Sequence, residues 1–545
     1  MAVTEDRKFT RAQVLDILTK VIGKTLGEVD KSKQFDRTVG KTKITGIAGD
    51  VIEQSVFGYK RDAKQECDIE IDGVLTELKT TGVRIPKSEL KKVQGKTGNS
   101  YKYYYGAKEG VSITGVTLSP SIQLDFLKSH FWEKSERLLL VFYEYNSYKS
   151  VPASEYAKFP IVDYCYNTFS TEDREKLCKD WEVVRDYLKP IYDKYEDEAA
   201  RNSKLVGFTR LLREKLVYVE LVPAFKRLES GKYQKPRYRL KKPFVDYIVK
   251  GHFKGTRRYL EINLKSSRKY KVAKELGLGK PFDSFAELDA RCHELNTKYK
   301  GHTLAQLKKE LGVETAISTK DFGAKCILEM FEANCKRLNQ ISEFTKAGIV
   351  CKTITITPDG KRTEDMKLQH IDFEEWTQKN MEFTESEVFM YFWDHCFLCP
   401  VFCERGDMAS QRKKETNEQY RVRIEREAPK TTFEGFKRFF FSEEFIENDV
   451  KRTWDKSREL IFEKTLVWEY ELDDKGQKKK NKSGSYKGAP NFPKSKEYNV
   501  FFRGGENDSR EEARSEVVNG INMLPQFFWL KGTYIAEELK KIDYL

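Results

Sequence analysis

The sequence predicts a mixed α/β (α+β) fold that is built twice in tandem along the chain. Segments with alternating apolar residues, typical of strands, stand between amphipathic segments typical of helices. The same order of segments returns about 273 to 290 residues later. With 35 Phe and 28 Tyr among 545 residues, the chain has the side chains to fill large cores, which argues against disorder. These three observations predict two similar globular domains.

The first copy reads as two helices, a hairpin, further strands and a long helix. An amphipathic helix with a Gly-Lys-Thr-Leu connection is predicted over residues 12–29, and a second helix over residues 49–57. Asp72-Gly73, with alternating apolar residues on both sides, is the strongest two-residue hairpin signal. A strand over residues 137–144 and a helix around Trp181 follow. This alternation is typical of a mixed α/β domain.

The second copy is predicted from five matches that keep their order along the chain. They are Thr25 with Thr303, Glu53 with Glu329, Glu77 with Val350, Trp181 with Trp454 and Tyr238 with Phe528. We therefore predict a first domain over residues 1–255, a linker rich in glycine and basic residues over 256–280, and a second domain over 281–545. The lysine-rich tract 473–485 is predicted to be a solvated loop, with contact to phosphates as the alternative.

The charge of the chain favours a polyanionic partner. Its 99 basic and 85 acidic residues give a net charge of +14 and a pI near 9.0. Nucleic acid is the natural candidate.

No window approaches the ~18 apolar residues of a membrane span, and the polar N-terminus lacks the apolar core of a signal peptide. We therefore expect an intracellular, cytoplasmic protein without a membrane partner.

The ten cysteines do not form a disulfide framework, and one cluster stands out. Cys396, Cys399 and Cys403 follow His395, a grouping found in zinc and iron-sulfur sites. The surrounding run, residues 388–403, is nevertheless strongly apolar, and no second cysteine pair stands nearby. We interpret the run as a buried strand whose thiols serve as small apolar side chains.

The hairpin carries the candidate catalytic chemistry. If Asp72-Gly73 forms the turn, Asp68 lies opposite Glu77, about 5 Å away at the Cβ atoms, and Lys79 shares their face. Two carboxylates this close repel each other unless a cation lies between them, which indicates a hard divalent metal. A lysine beside such a metal can orient a water for attack on a phosphate. The alternative is an ordinary solvent-facing hairpin with mixed charges.

In the second copy, Lys352 keeps the lysine, but Val350 stands in place of Glu77 and Ile341 in place of Asp68. A domain that has lost these acids can still hold DNA through basic and aromatic contacts. We therefore predict one cutting domain and one binding domain.

The motifs of the first copy resemble those of the MutH-like endonucleases. The resemblance rests on Gly49-x-x-x-Glu53 followed by Asp68 and Glu77-Leu78-Lys79. The wider pattern, with Phe142-Tyr-Glu-Tyr145, Asp180-Trp-Glu182 and Phe527-Phe-Trp-Leu-Lys531, is similar to GATC-cutting type II restriction enzymes of the Sau-three-A kind. One departure concerns the aspartate, which in this family stands seven residues before the glutamate. Glu70 has that spacing here, but the hairpin register favours Asp68.

The resemblance implies roles for these residues. Asp68 and Glu77, with Glu53 from the preceding helix, would bind Mg²⁺. Lys79 would position or deprotonate the attacking water. Lys134 resembles a further basic residue near the scissile phosphate, although an ordinary exposed helix lysine is the alternative.

The resemblance also places DNA contacts in the C-terminal part of each copy. Basic side chains can contact phosphates or the major-groove edge of guanine. The candidates are Arg227, Arg237, Arg239 and Lys241 in the first copy, and Arg503 and Lys531 in the second.

The leading hypothesis is a Mg²⁺-dependent type II restriction endonuclease that cuts both strands of unmethylated DNA at a short palindrome, which by resemblance is 5′-GATC. The second domain would bind another DNA site as an effector. The alternatives are a methyl-directed mismatch-repair nickase and a non-catalytic DNA-binding regulator. We expect double-stranded DNA as the physical partner and a cognate methyltransferase as a genetic partner. The chain would either act alone or dimerise on DNA. The enzyme would act in the bacterial cytoplasm, at the nucleoid when bound to DNA.

Overall fold

The computed structural model confirms a mixed α/β fold and describes most of the chain. It describes residues 7–39, 44, 46–59, 66–85, 105–118, 124–147, 151–254, 278–361, 364–412, 414–480, 484–505 and 514–545. Residues 256–277 of the predicted linker, which spans 256–280, therefore lie outside the described residues. Residues 481–483 of the predicted lysine-rich loop also lie outside them.

Twenty strands and eighteen α-helices follow one another along these described ranges. The strands are β1 (Lys8–Phe9), β2 (Ile69–Ile71), β3 (Val74–Arg84), β4 (Gly106–Ala107), β5 (Val111–Gly115), β6 (Leu138–Glu144), β7 (Ile161–Asn167), β8 (Val219–Val222), β9 (Arg237–Leu240), β10 (Ile349–Cys351), β11 (Ile354–Ile356), β12 (Met366–His370), β13 (Cys396–Cys403), β14 (Thr432–Phe439), β15 (Trp468–Tyr470), β16 (Gly488–Pro490), β17 (Val500–Gly504), β18 (Glu516–Val518), β19 (Ile521–Met523) and β20 (Gln526–Leu530). The helices are α1 (Arg11–Thr19), α2 (Leu26–Val29), α3 (Ile47–Val51), α4 (His130–Ser135), α5 (Thr171–Lys194), α6 (Glu198–Leu205), α7 (Phe208–Leu212), α8 (Lys242–Lys254), α9 (Phe285–Tyr299), α10 (Leu304–Leu311), α11 (Phe322–Met330), α12 (Ser342–Ala347), α13 (Phe373–Trp376), α14 (Glu387–Asp394), α15 (Asn417–Glu427), α16 (Glu443–Phe445), α17 (Lys451–Phe462) and α18 (Gly532–Lys540).

The central sheet of the first half has the strand order β1-β2-β3-β6-β7, with β4 paired to β3. Strands β2 and β3 form the predicted hairpin, with Ile71 opposite Val74. Asp72 and Gly73 have φ angles of +50° and +80°, the left-handed conformations that a two-residue type I′ turn requires. Strand β3 then runs parallel to β6, and β6 runs antiparallel to β7. The predicted hairpin and its register are therefore confirmed.

The sheet of the second half repeats this arrangement. Strands β10 and β11 both run parallel to β13, and β13 runs antiparallel to β14. The register shifts between Phe142 and Tyr143 in β6, and between Val401 and Phe402 in β13. The bulge therefore marks equivalent places in the two halves.

Other contacts repeat as well. Gly23 N donates to Ile161 O at 2.8 Å, and Gly301 N donates to Phe433 O at 2.7 Å. Each half also has an antiparallel three-stranded sheet, β5-β9-β8 in the first and β12-β20-β17 in the second. In both, the central strand leads into a helix, α8 or α18. The matches found in the sequence thus correspond to shared backbone structure.

One predicted element is wrong in part. The segment 12–29 divides into α1 and α2 near the predicted Gly-Lys-Thr-Leu connection, because Gly23 has a φ of +82° that an α-helix does not allow. The strand predicted over residues 388–403 begins only at Cys396, and its first part is helix α14. Ser386 caps that helix by accepting a hydrogen bond from Phe389 N. All three cysteines of strand β13 are buried, as predicted.

The hydrophobic core does not break at the predicted domain boundary. One continuous cluster of buried side chains includes residues from Val83 to Val249 and from Leu278 to Phe440. Arg213 of the first half also donates hydrogen bonds to the carbonyl oxygens of Phe392, Trp393 and Phe441. The two halves therefore pack into one another, and the division at residues 256–280 stays a prediction.

None of the helices in the described part of the chain is both long enough and apolar enough to span a membrane.

Candidate active site

The hairpin brings Asp68 and Glu77 together, as its register predicts. Ile69 pairs with Thr76, so the next pair outward is Asp68 with Glu77. Asp68 Oδ2 accepts a hydrogen bond of 3.0 Å from Leu78 N, which fixes its carboxylate beside β3. Glu77 is almost fully buried, at 1% exposure. Both acids are therefore held against strand β3 rather than on a fully solvated face of the hairpin.

Two lysines neutralise these acids. Lys79 Nζ lies 2.5 Å from Glu77 Oε1 and 3.8 Å from Asp68 Oδ2. Lys134 Nζ, from helix α4, lies 3.1 and 2.9 Å from the two carboxylate oxygens of Glu77. Lys134 is buried, so the alternative of an exposed helix lysine is wrong. The four side chains form a compact cluster of two acids and two bases.

The electrostatics of the cluster follow from its burial. Burial raises the pKa of Asp68, while Lys79 works in the opposite direction. Burial works against the charged form of Lys79, but the carboxylates of Glu77 and Asp68 outweigh it and raise the pKa of Lys79. Each charge thus depends on its partners, so removal of one changes the others.

Tyr59 is a site residue that the sequence did not reveal. Its hydroxyl is buried and has no hydrogen-bond partner among the described residues. Burial raises its pKa, and the charges of Asp68, Glu53 and Glu77 raise it further, which places the phenol within electrostatic reach of all three acids. No spacing rule connects Tyr59 to the hairpin, because the tertiary fold alone brings them together.

The donor atoms of the candidate site suit Mg²⁺. No group of three or more His, Cys, Asp or Glu side chains in the described ranges is arranged to hold a metal ion. The set Asp68, Glu77 and Glu53 stays a prediction, and in this structure the ammonium groups of Lys79 and Lys134 pair with Glu77. Mg²⁺ is commonly bound by only one or two carboxylates, with water and substrate phosphate as the other ligands. Asp68 and Glu77 satisfy that smaller requirement.

Glu70, the other candidate for the aspartate position, lies further from Glu77 along the hairpin. It pairs with Leu75 in the ladder, and its carboxylate lies 3.6 Å from Lys8 Nζ. The register therefore favours Asp68 over Glu70.

The predicted DNA contacts in the first half have different surroundings. Arg227 and Arg237 are exposed. Arg239 is partly exposed and pairs with Glu220 at 2.8 Å. Lys241 is buried and donates to Leu216 O at 2.5 Å, so it cannot reach DNA in this conformation.

In the second half, Arg503 is exposed and pairs with Asp365 at 2.6 Å. Lys531 is partly exposed and stands directly before helix α18.

The second half has the same strand but different side chains at the equivalent site. Glu77 pairs with Leu138 in the first half, and Val350 pairs with Phe397 in the second. Leu138 and Phe397 each lie five residues before the residue that follows the bulge. The structure therefore places Val350 at the position of Glu77, as the sequence predicts.

Strand β2, which directly follows Asp68 in the first half, has no counterpart within the described second half. Helix α12 stands there instead, directly before β10, and the buried Ile341 precedes it. The equivalent of Lys134 is Tyr391, since each lies five residues after the serine that caps its helix. The second site therefore lacks the strand next to Asp68 and the lysine at the position of Lys134, in addition to the two acids.

Comparison with known proteins agrees with this geometry. Residues 57–180 match the family described as MutH, DNA mismatch repair enzyme MutH. That segment holds the hairpin, strand β6 and helix α4, and so most of the candidate site. The type II restriction enzyme Sau3AI of Staphylococcus aureus is 24% identical over 534 residues, which cover 92% of this chain and 96% of that enzyme. The similarity extends across both halves. The chain is therefore similar to the MutH family around its hairpin and to a type II restriction enzyme over most of its length.

Proposed function

We propose that this chain is a Mg²⁺-dependent restriction endonuclease that cuts both strands of unmethylated DNA at 5′-GATC. The observation that supports the proposal most is the buried cluster in which Lys79 lies between Asp68 and Glu77. A solvated hairpin with mixed charges would not bury Glu77, because burial of a charge is costly without such partners.

The residues of the cluster have separate roles in this proposal. Asp68, Glu77 and Glu53 would hold Mg²⁺. When bound, the metal would supply Lewis-acid stabilisation of the charge that develops on the phosphate. Lys79 would orient the water that attacks the phosphorus. Lys134 would keep Glu77 in place before DNA arrives and then contact the phosphate.

The second half would bind another copy of the recognition site and thereby promote cleavage. Support comes from the similar backbone arrangement of the two halves and from the hydrophobic core that continues between them. Through this core, DNA bound to the second half could change the conformation of the first. The exposed Arg227 and Arg237 would contact DNA in the first half, with Arg239 beside them. Arg503 and Lys531 would do so in the second. Lys241 would join the first group only after a rearrangement that frees it from Leu216 O.

The partners and the place of action follow from this function. Double-stranded DNA would be the physical partner, and a cognate methyltransferase the genetic one. A single catalytic cluster per chain cuts one strand at a time, so dimerisation on DNA is one way to a double-strand break. We place the enzyme in the bacterial cytoplasm, at the nucleoid when it is bound to DNA.

Digestion of a plasmid of known sequence, with the fragment ends mapped, tests the proposal. We expect discrete fragments that end at 5′-GATC, only when Mg²⁺ is present, and no cutting of the methylated plasmid. Nicks alone would support a mismatch-repair nickase instead. A gel shift without cleavage would support a DNA-binding regulator.

A further inference from the structure

A cavity of about 760 Å³ occupies the place in the second half that corresponds to the catalytic cluster of the first. Val350 and Lys352, at the positions of Glu77 and Lys79, both line it. Tyr391, at the position of Lys134, lines it too. The volume is large enough for a small ligand or for part of a larger one.

Lys352 is the unusual group in this cavity. Among the described residues, its ammonium group has no hydrogen-bond or ion-pair partner. Burial lowers its pKa, and the nearby charge of Lys367 lowers it further. The groups that act in the other direction are the thiols of Cys351 and Cys399, and no carboxylate is among them. Asp246, Asp321, Glu387 and Asp394 also line the cavity, but none of these acids pairs with Lys352 among the described residues. A partly buried cation that no acid pairs with favours the arrival of an anion.

The comparison with Lys79 shows how this situation arose. Lys79 has Glu77 and Asp68 as partners. In the second half Val350 stands in place of the first acid, and helix α12 replaces strand β2, which follows the second acid in the first half. Loss of the two acids has therefore left Lys352 without the partners that Lys79 has.

We propose that the cavity of the second half is a phosphate-binding site in which Lys352 contacts a backbone phosphate of a second DNA duplex. This inference rests on the proposed function, since it assigns the effector a point of contact. The exposed Lys336 and Arg337 also line the cavity and extend its positive charge towards solvent. Such a charged approach attracts a polyanion.

The cavity also touches the first half, so a ligand there has a route to the catalytic strand. Lys242 and Pro243 at the start of helix α8 line it, and so does Glu387. Glu387 forms an ion pair with Arg84, the last residue of β3, and β3 carries Glu77 and Lys79. A phosphate that enters the cavity therefore lies close to the end of the catalytic strand.

Lysine acetylation of the full chain without divalent metal tests the contact. Mass spectrometry measures the extent of acetylation at Lys352 under four conditions. These are the chain alone and the chain with a short duplex, with a deoxynucleoside monophosphate or with inorganic phosphate. We expect the duplex to protect Lys352 and to leave the exposed Lys309 of helix α10 unprotected. Protection by the free phosphates at similar concentration would keep the phosphate site but assign it to a free anion. Equal acetylation under all conditions would overturn the proposal.

A second measurement applies if Lys352 proves unreactive in the free chain. The dependence of duplex affinity on salt is compared for the parent chain, Lys352→Met, Lys352→Arg and Lys309→Met. Loss of one phosphate contact lowers the slope of log K against log salt by about 0.9. We expect this reduction in Lys352→Met alone, and an unchanged slope in that variant would overturn the proposal. Neither measurement needs cleavage, so a chain that fails to cut refutes the proposed function without deciding this one.

Discussion

At the scale of single residues, Glu77 depends on two lysines from different elements. Lys79 is its neighbour on the same strand, and Lys134 reaches it from helix α4. A buried carboxylate with only one of these partners is less well compensated. The pair therefore explains how an acid can lie at 1% exposure.

Replacement of Lys134 by methionine keeps the length of the side chain and removes its charge. We expect Lys134→Met to lose most of its cleavage and to lower the free energy of unfolding by about 1 to 3 kcal/mol, since Glu77 loses two hydrogen bonds. Plasmid cleavage and urea denaturation measure the two effects. Lys128→Met, at an exposed lysine in the preceding turn, serves as control. Full activity of Lys134→Met would remove Lys134 from the site.

A histidine away from the site gives the fold a pH dependence. Burial favours the neutral form of His252, but hydrogen bonds to Asp163 and Cys165 outweigh it and raise the pKa to about 9. The raised pKa means that the protonated imidazole stabilises the fold fully below pH ~6.5, and that this contribution disappears as the pH rises to about 9.

The variant His252→Gln isolates this contribution. We expect the parent chain to exceed the variant in unfolding free energy by on the order of 2 to 3 kcal/mol at pH 6. The difference should shrink steadily towards pH 9. Urea denaturation at several pH values measures it. A difference that stays constant between pH 6 and pH 9 would show that His252 is not protonated in the folded chain.

At the scale of elements, the hairpin is the part of the site that the sequence predicts best. Two-residue turns fix the register by local chemistry, so Asp72 and Gly73 determine that Asp68 faces Glu77. Tyr59 and the contact between Lys134 and Glu77 could not be predicted in this way, because packing between distant segments sets them. The same holds for helix α14, because an apolar run alone does not distinguish a buried helix from a buried strand.

The turn itself can be tested through Gly73. Its φ of +80° suits glycine, and a Cβ there would meet no atom within 4 Å, so a substitution costs only backbone strain. We expect Gly73→Ala to lower the free energy of unfolding by about 1 to 2 kcal/mol. Gly115→Ala is the matched control, since Gly115 also has open space around it but has no positive φ. Equal effects of the two substitutions would contradict the type I′ turn.

At the scale of the whole molecule, the two halves share a core although the sequence predicts two domains. The repeat was predictable because helix caps and strand order recur along the chain. The packing between the halves was not, since it depends on side chains such as Arg213 that no repeat pattern singles out. The shared core gives the second half a physical means to influence the first.

This shared core predicts how the chain unfolds. Because one hydrophobic cluster includes buried residues of both halves, neither half can lose its structure without exposing apolar surface of the other. We expect a single thermal transition by calorimetry, with the same midpoint by circular dichroism and by tryptophan fluorescence. Two separate transitions would show that the halves are independent domains.

The most direct test of the central claim is plasmid cleavage by Lys79→Ala. Lys79 lies between Asp68 and Glu77, so its removal should disable the chemistry while the DNA-contacting surface remains. With Mg²⁺, we expect the parent chain to give discrete fragments and Lys79→Ala to give none, while a gel shift shows that the variant still binds the duplex. Cleavage by Lys79→Ala at the rate of the parent chain would contradict the assignment of the site.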